Sequence, residues 1–286
     1  MNKLPAEELF WDAVELHQIQ GFWYLTELKD TTDAFRSRFQ PRRDDVVLTS
    51  FVKTGTTWLK ALCHNIIHLE NDALAKKNPH DLVPSPPGRL FHTHLPYTNL
   101  PESVARSRCK LVYVARNPED TVVSMWHFYN KFHRAEFPLE RAVESFCSGV
   151  VPWGPFYEHL VGYWEESKRR PEEVLFLKYE DLVRDPKKQV RELASFLGKP
   201  FCPGGDGDEV VDKVLWRSSL ERLKELDINK NGIEKQKQRP NTIFFRKGAV
   251  GDWKNYMMAE MAQRIDRLTQ TKLHGTGLSL DDYILG

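Results

Sequence analysis

The 286 residues offer little that would tie the chain to a membrane, a disulfide frame or a polyanion. Four cysteines, Cys63, Cys109, Cys147 and Cys202, stand far apart without C-x-x-C spacing, which argues against a zinc ribbon and for reduced thiols in a cytoplasmic protein. No apolar run approaches the ~18 residues a spanning helix needs, so no membrane partner is expected. The start, MNKLPAEELFWDAVELHQIQ, has acids and polar residues where a secretory leader needs an apolar stretch. Charge of one sign is missing too. Against 41 Lys+Arg stand 40 Asp+Glu, a net charge of +1, so coating nucleic acid is excluded as a main role and any basic site must be local. Repeats, low-complexity tracts and His/Cys/Asp clusters at metal-ligand spacing are absent from the sequence, and no metal is expected.

What is present suffices for a large core: 41% hydrophobic and 12% aromatic residues. From Pro5 to about Leu16, Leu9, Phe10, Ala13 and Val14 suit a short amphipathic helix, so residues 1–20 read as a helical extension. After the polar turn Pro41–Asp45, the run Val46–Val52 has strand character, and helical periodicity starts near Thr56. Cys109–Ala115 repeats the pattern, with Pro118 at a first helical turn and Glu119 and Asp120 suiting its dipole. Val174–Lys178 gives a third strand, followed by helix around Pro186–Leu197. A helix from about Glu209 follows a Pro/Gly-rich loop, and the last helix covers roughly Met258–Leu273. Residues 229–246 are polar and weakly patterned, a mobile loop by expectation. Apolar strands alternating with helices predict an α/β fold: a single domain over 1–286, with a central parallel sheet flanked by helices.

The turn after the first of these strands reads Lys53-Thr54-Gly55-Thr56-Thr57-Trp58. A helix N-terminus holds phosphate well; the glycine admits the backbone to the anion, the hydroxyls donate and Lys53 adds charge. The Walker spacing GxxxxGK[ST] does not fit, because Thr follows Gly55 and position 50 is Ser. Such a P-loop-like strand–turn–helix suits one 5′-phosphate with a transferable neighbour better than a β/γ-phosphate–magnesium cradle. Arg116 falls at the end of a predicted parallel strand, where open sheets place ligands, and Ser124 follows two turns later. With Arg246-Lys247-Gly248 they make a second anion site, hence a nucleotide phosphorylated at both ends. His94, at the end of the run Leu90–Pro96, fits either a structural histidine or a general base.

The stretches VKTGTTWLKAL (52–62), THLPYTNLP (93–101), YVARNPEDTVVSMWHFY (113–129), KYEDL (178–182) and RKGAVGDWKN (246–255) together resemble the cytosolic sulfotransferase family, most closely its plant members. The resemblance runs from about Gly21 to Leu278. It implies transfer of a sulfuryl group from the co-substrate 3′-phosphoadenosine 5′-phosphosulfate (PAPS) to a hydroxyl of a small apolar acceptor, such as a flavonoid, steroid, hydroxyjasmonate or desulfoglucosinolate. It further implies that Lys53, Thr54, Gly55, Thr56, Thr57 and Trp58 hold the 5′-phosphosulfate, with Trp58 on the adenine. Arg116, Ser124, Arg246, Lys247 and Gly248 would hold the 3′-phosphate, and Tyr179 and Ser218 would contact the adenine. His94 would be the base and Lys53 would stabilise the leaving group. Phe22, Trp23, Tyr97 and Phe128 are candidates for the acceptor pocket, together with Tyr129, Phe132 and Trp153. Three departures stand out. Val52 replaces a proline usual before the lysine, and His92 stands where animal members often carry a lysine. Lys254, followed by Met258-Ala259 and Gln263, misses the animal dimerisation motif, so a monomer or weak dimer is expected. A P-loop kinase and a nucleotide-binding protein without catalysis are the competing readings.

Overall fold

The computed structural model describes residues 7–11, 14–69, 89–134, 136–201, 206–234 and 239–280. The amino-terminal segment is not the expected helix. Glu7–Phe10 (β1), Val14–Ile19 (β2) and Phe22–Leu25 (β3) form an antiparallel three-stranded meander. The spacing of Leu9, Phe10 and Val14 suits either form, and turn chemistry decides. Gln20 and Gly21 take positive φ, 51° and 84°, between the paired Ile19 and Phe22, as a two-residue hairpin turn requires. Trp11, at φ 53°, interrupts any helix through that point. Its ring stacks on Phe10 with centroids 4.3 Å apart, and both meet Tyr129 edge-on. Pro5 and Ala13 of the expected helix lie outside the described residues, as does Cys202.

Lys29–Arg38 (α1) leads to Val46–Ser50 (β4), Thr56–Ile67 (α2), Leu90–Thr93 (β5) and Glu102–Ser107 (α3). Lys110–Ala115 (β6), Pro118–His133 (α4), Leu139–Ser148 (α5), Phe156–Arg169 (α6) and Val174–Lys178 (β7) follow. Tyr179–Arg184 (α7), Pro186–Phe196 (α8), Asp206–Ser218 (α9), Leu220–Glu225 (α10) and Asp227–Asn231 (α11) form the next helical run. Within 229–246, expected as a loop, Ile233–Glu234 (β8) pairs with Arg239–Pro240 (β9), and Asn241–Phe244 makes a 3-10 turn; residues 235–238 lie outside the described ones. Ala259–Leu273 (α12) is the last helix.

The central sheet has the order β5-β4-β6-β7 with every pair parallel. β4 is buried along its whole length, which is why it reads as a continuous apolar run. Alternate residues of β6 serve opposite layers. Val112 and Val114 pack with α2, α8 and α9, while Tyr113 and Ala115 pack with α4, α5, α6, α12 and the meander. The chain leaves β4 toward β5 on one side and reaches β6 on the other. The turns after β4 and β6 therefore open a crevice between them, where sheets of this type bind ligands. No helix among the described residues is long and apolar enough to cross a membrane.

Trp11 is 3% exposed, so if the meander is part of the core, Trp11→Ala should lower the unfolding free energy by roughly 3–5 kcal/mol. A urea titration checks this, and an unchanged midpoint would show that the segment packs on nothing.

Candidate functional site

The turn from β4 to α2 is shaped by two residues in the left-handed region, Lys53 at φ 68° and Gly55 at φ 115°. A side chain at Gly55 would also be obstructed. A Cβ there would sit 2.7 Å from Cδ2 of Tyr179. As N-cap, Gly55 supplies no side-chain acceptor, and α2 has no acid in its first turn, so the leading N–H groups face the crevice uncapped. Thr54 departs from the expectation. Its hydroxyl is fully buried and donates to the carbonyls of Phe51 (2.8 Å) and Val114 (2.9 Å), clamping the turn to β6 rather than facing a ligand. Thr56 Oγ1 lies 2.6 Å from Ser50 Oγ.

Lys53, Gly55, Thr56, Thr57, Trp58, Arg116, Ser124, Tyr179, Ser218, Arg246 and Gly248 all border one cavity of about 1190 Å³. Arg116 is 5% exposed. Its guanidinium stacks over the Tyr179 ring at 4.6 Å and donates to the Ala249 carbonyl (2.8 Å), while its buried Nε has no hydrogen-bond partner. Burial, with Arg116 and Arg246 nearby, pushes the Lys53 ammonium down to about 7, and Nζ rests 4.2 Å from the centre of the Phe128 ring. Tyr179 also donates to the Gly248 carbonyl (2.7 Å) and meets Trp58 edge-on at 5.4 Å. Ser218 accepts from Asn65 Nδ2 at 3.0 Å.

Two carboxylates for which the sequence offers no role in the site organise this end. Asp252 pairs with Arg246 and with Lys247 (2.8 Å). Burial alone would raise its carboxyl, but these bonds hold it well below the usual range. Lys247 is exposed, committed to Asp252 and Tyr256, and does not border the cavity, contrary to expectation. Asp120 accepts from the backbone of Gly251 (2.7 Å) and Trp253 (3.1 Å) and lies 3.6 Å from Arg116, so it fastens the 246–253 segment to α4.

His94 borders the same cavity, and its Nδ1 lies 2.8 Å from the Ser50 carbonyl. A carbonyl can only accept, so Nδ1 carries the proton and Nε2 is left as the basic nitrogen. Burial, countered in part by that bond and reinforced by Lys60 and Lys53, lowers the imidazole to about 4. Behind it, His159 Nε2 donates to the His94 carbonyl (3.0 Å), and the Tyr113 hydroxyl lies 3.1 Å from His159 Nδ1.

Of the expected acceptor residues, Phe128 borders the cavity, with Tyr129, Phe132 and Trp153. Phe22, Trp23 and Tyr97 do not. The first two are core residues of the meander and Tyr97 packs on Tyr163, so their aromatic character reports folding. The unforeseen walls are Val14, Leu25 and Leu28 from the amino-terminal segment and Phe244 and Phe245 beside Arg246. No spacing rule could have found these, because they come from elements distant in sequence.

A sequence profile of the sulfotransferase domain matches residues 74–277. Cytosolic sulfotransferase 5 of Arabidopsis thaliana is 38% identical over 97% of this chain and 94% of its own length. Flavonol 3-sulfotransferase of Flaveria bidentis is 39% identical over 93% of each chain. Among solved structures, mouse sulfotransferase SULT7A1 complexed with PAP superposes with a TM-score of 0.72 at 28% identity, covering 91% of this chain and 94% of the mouse chain.

Gly55→Ala is expected to cost about 1–3 kcal/mol for its backbone conformation and more for the Tyr179 clash. Adding Tyr179→Ala should recover only the second part, as measured by urea unfolding. Full tolerance of Gly55→Ala would mean that the turn is not held as described.

Proposed function

The chain belongs to the sulfotransferase family, and from that membership we propose that it transfers a sulfuryl group from PAPS to the hydroxyl of a small apolar acceptor in the cytoplasm. One observation carries the reading. His94, with its basic nitrogen unprotonated, shares a cavity with Lys53, Arg116 and an uncapped helix terminus. These groups fit a doubly phosphorylated nucleotide, and PAP is the nucleotide bound by the mouse relative. When bound, PAPS supplies an activated sulfuryl group.

The chain's own residues do the rest. The turn Lys53–Trp58 and the first amides of α2 hold the 5′ end, Trp58 and Tyr179 flank the base, and Arg116, Ser124 and Arg246 hold the 3′-phosphate. His94 Nε2 takes the acceptor proton, a role worth ~10²–10⁴-fold in rate. An imidazole near 4 is a weak base, but anions neutralising Lys60 and Lys53 lift it toward the range a base needs. Lys53 stabilises charge on the departing oxygen. Aromatic walls at Phe128, Phe132, Phe244 and Phe245 suit a flat apolar acceptor, and the flavonol relative favours the flavonoid class.

Adenosine 3′,5′-bisphosphate (PAP) should raise the melting temperature, and ATP should do so far less. Equal shifts would count against the 3′-phosphate site. His94→Ala should lose ~10²–10⁴-fold in transfer while keeping PAP affinity, and retained turnover would remove His94 from the mechanism.

The Lys53 ammonium, free at about 7, is charged again beside a bound anion, so above that pH binding takes up a proton. PAP affinity should therefore fall as pH rises from 7 to 9, and Lys53→Met should flatten the profile. Calorimetry in two buffers of different ionisation enthalpy checks this, and the absence of proton uptake would contradict it.

A further inference from the structure

Lys60 lies one turn beyond Thr56 on α2, is only 6% exposed, and borders the cavity with His92 and His94. No hydrogen bond, ion pair or ring contact engages its ammonium among the described residues. A buried charge without a partner is costly, and burial pushes this one down to about 8. Its placement shows what it faces. Residues four apart share a helix face, and Thr56 on that face touches Ser50, whose hydroxyl lies 3.4 Å from His94 Nδ1. Lys60 also depresses the His94 imidazole more than Lys53 does. One cation thus stands beside the leaving end and another beside the base.

We propose that Lys60 is a further catalytic cation that binds the sulfonate oxygens as the group passes from donor to acceptor. This rests on the sulfuryl-transfer reading. In that step the acceptor oxygen bonds to sulfur and the bond from sulfur to the bridging oxygen breaks. The acceptor proton moves to His94 Nε2, and the electron pair stays on the phosphate oxygen beside Lys53. The non-bridging oxygens keep their negative charge throughout, and Lys60 is the ammonium placed to meet it on the acceptor side.

The test compares PAP with PAPS in calorimetry without acceptor, using wild type, Lys60→Met and Lys60→Arg. Lys60→Met should bind PAP within about twofold of wild type but PAPS roughly tenfold more weakly, and Lys60→Arg should keep most of the PAPS preference. With a neutral acceptor, kcat of Lys60→Met should fall ~10²-fold at nearly constant acceptor KM. The ligand-free melting temperature of Lys60→Met should equal or exceed that of wild type, because an unpaired buried charge is removed. Equal weakening of both nucleotides with a lowered melting temperature would make Lys60 structural and overturn the proposal. Unchanged PAPS affinity with a raised KM for acidic acceptors alone would assign Lys60 to acceptor carboxylates and overturn it equally. Wild type binding neither nucleotide would sink the sulfuryl-transfer reading itself, and this proposal with it.

Discussion

Positive charge that the protein does not neutralise is the constraint around which the molecule is built. Lys53 and Lys60 border one cavity with no carboxylate partner among the described residues, and burial makes each charge costly. Flexible segments would relax such groups into water. Here they project from the turn after a fully buried strand and from the helix that follows it, so the parallel sheet holds them together. Stability lost at the site is offset by the two hydrophobic layers that enclose the sheet. The cavity is thus ready for an anion before one arrives, which is the condition for electrostatic catalysis without reorganisation.

The same logic separates cations that serve ligands from cations that serve the fold. Arg246 and Lys247 are adjacent in sequence and share Asp252, yet only Arg246 borders the cavity. Asp120 makes the segment's position independent of any ligand by accepting from Gly251 and Trp253. Behind His94, the contacts from Tyr113 through His159 fix the backbone on which the imidazole stands, and the Ser50 carbonyl fixes its tautomer.

Much of this was legible in the sequence because it is local. A strand, a glycine turn and a helix declare themselves within a dozen or so residues, and Lys53, Gly55, Thr56, Arg116 and His94 stand at element ends where the pattern put them. The inward turn of the Thr54 hydroxyl is not legible, because composition cannot say which hydroxyl turns inward and the packing against Val114 that decides this is long-range. The core placement of Phe22 and Trp23 is hidden for a related reason, since aromatic residues announce burial without saying whether core or cavity buries them. The meander was missed because Gln20-Gly21 is a weaker hairpin signal than Asn-Gly, and Trp11 at positive φ leaves no mark in the sequence. Lys60 could have been found, because a lysine four residues after Thr56 on a helix otherwise rich in buried apolar residues is out of place.

Phe244, Phe245 and Arg246 are consecutive, so the aromatic wall and the cation proposed to hold the nucleotide share one short stretch of backbone. Seating one molecule therefore sets the contour met by the other. Under the proposed reading, occupancy by donor and acceptor would then be thermodynamically linked, and any such linkage is reciprocal: each guest would bear on its neighbour across a single peptide bond.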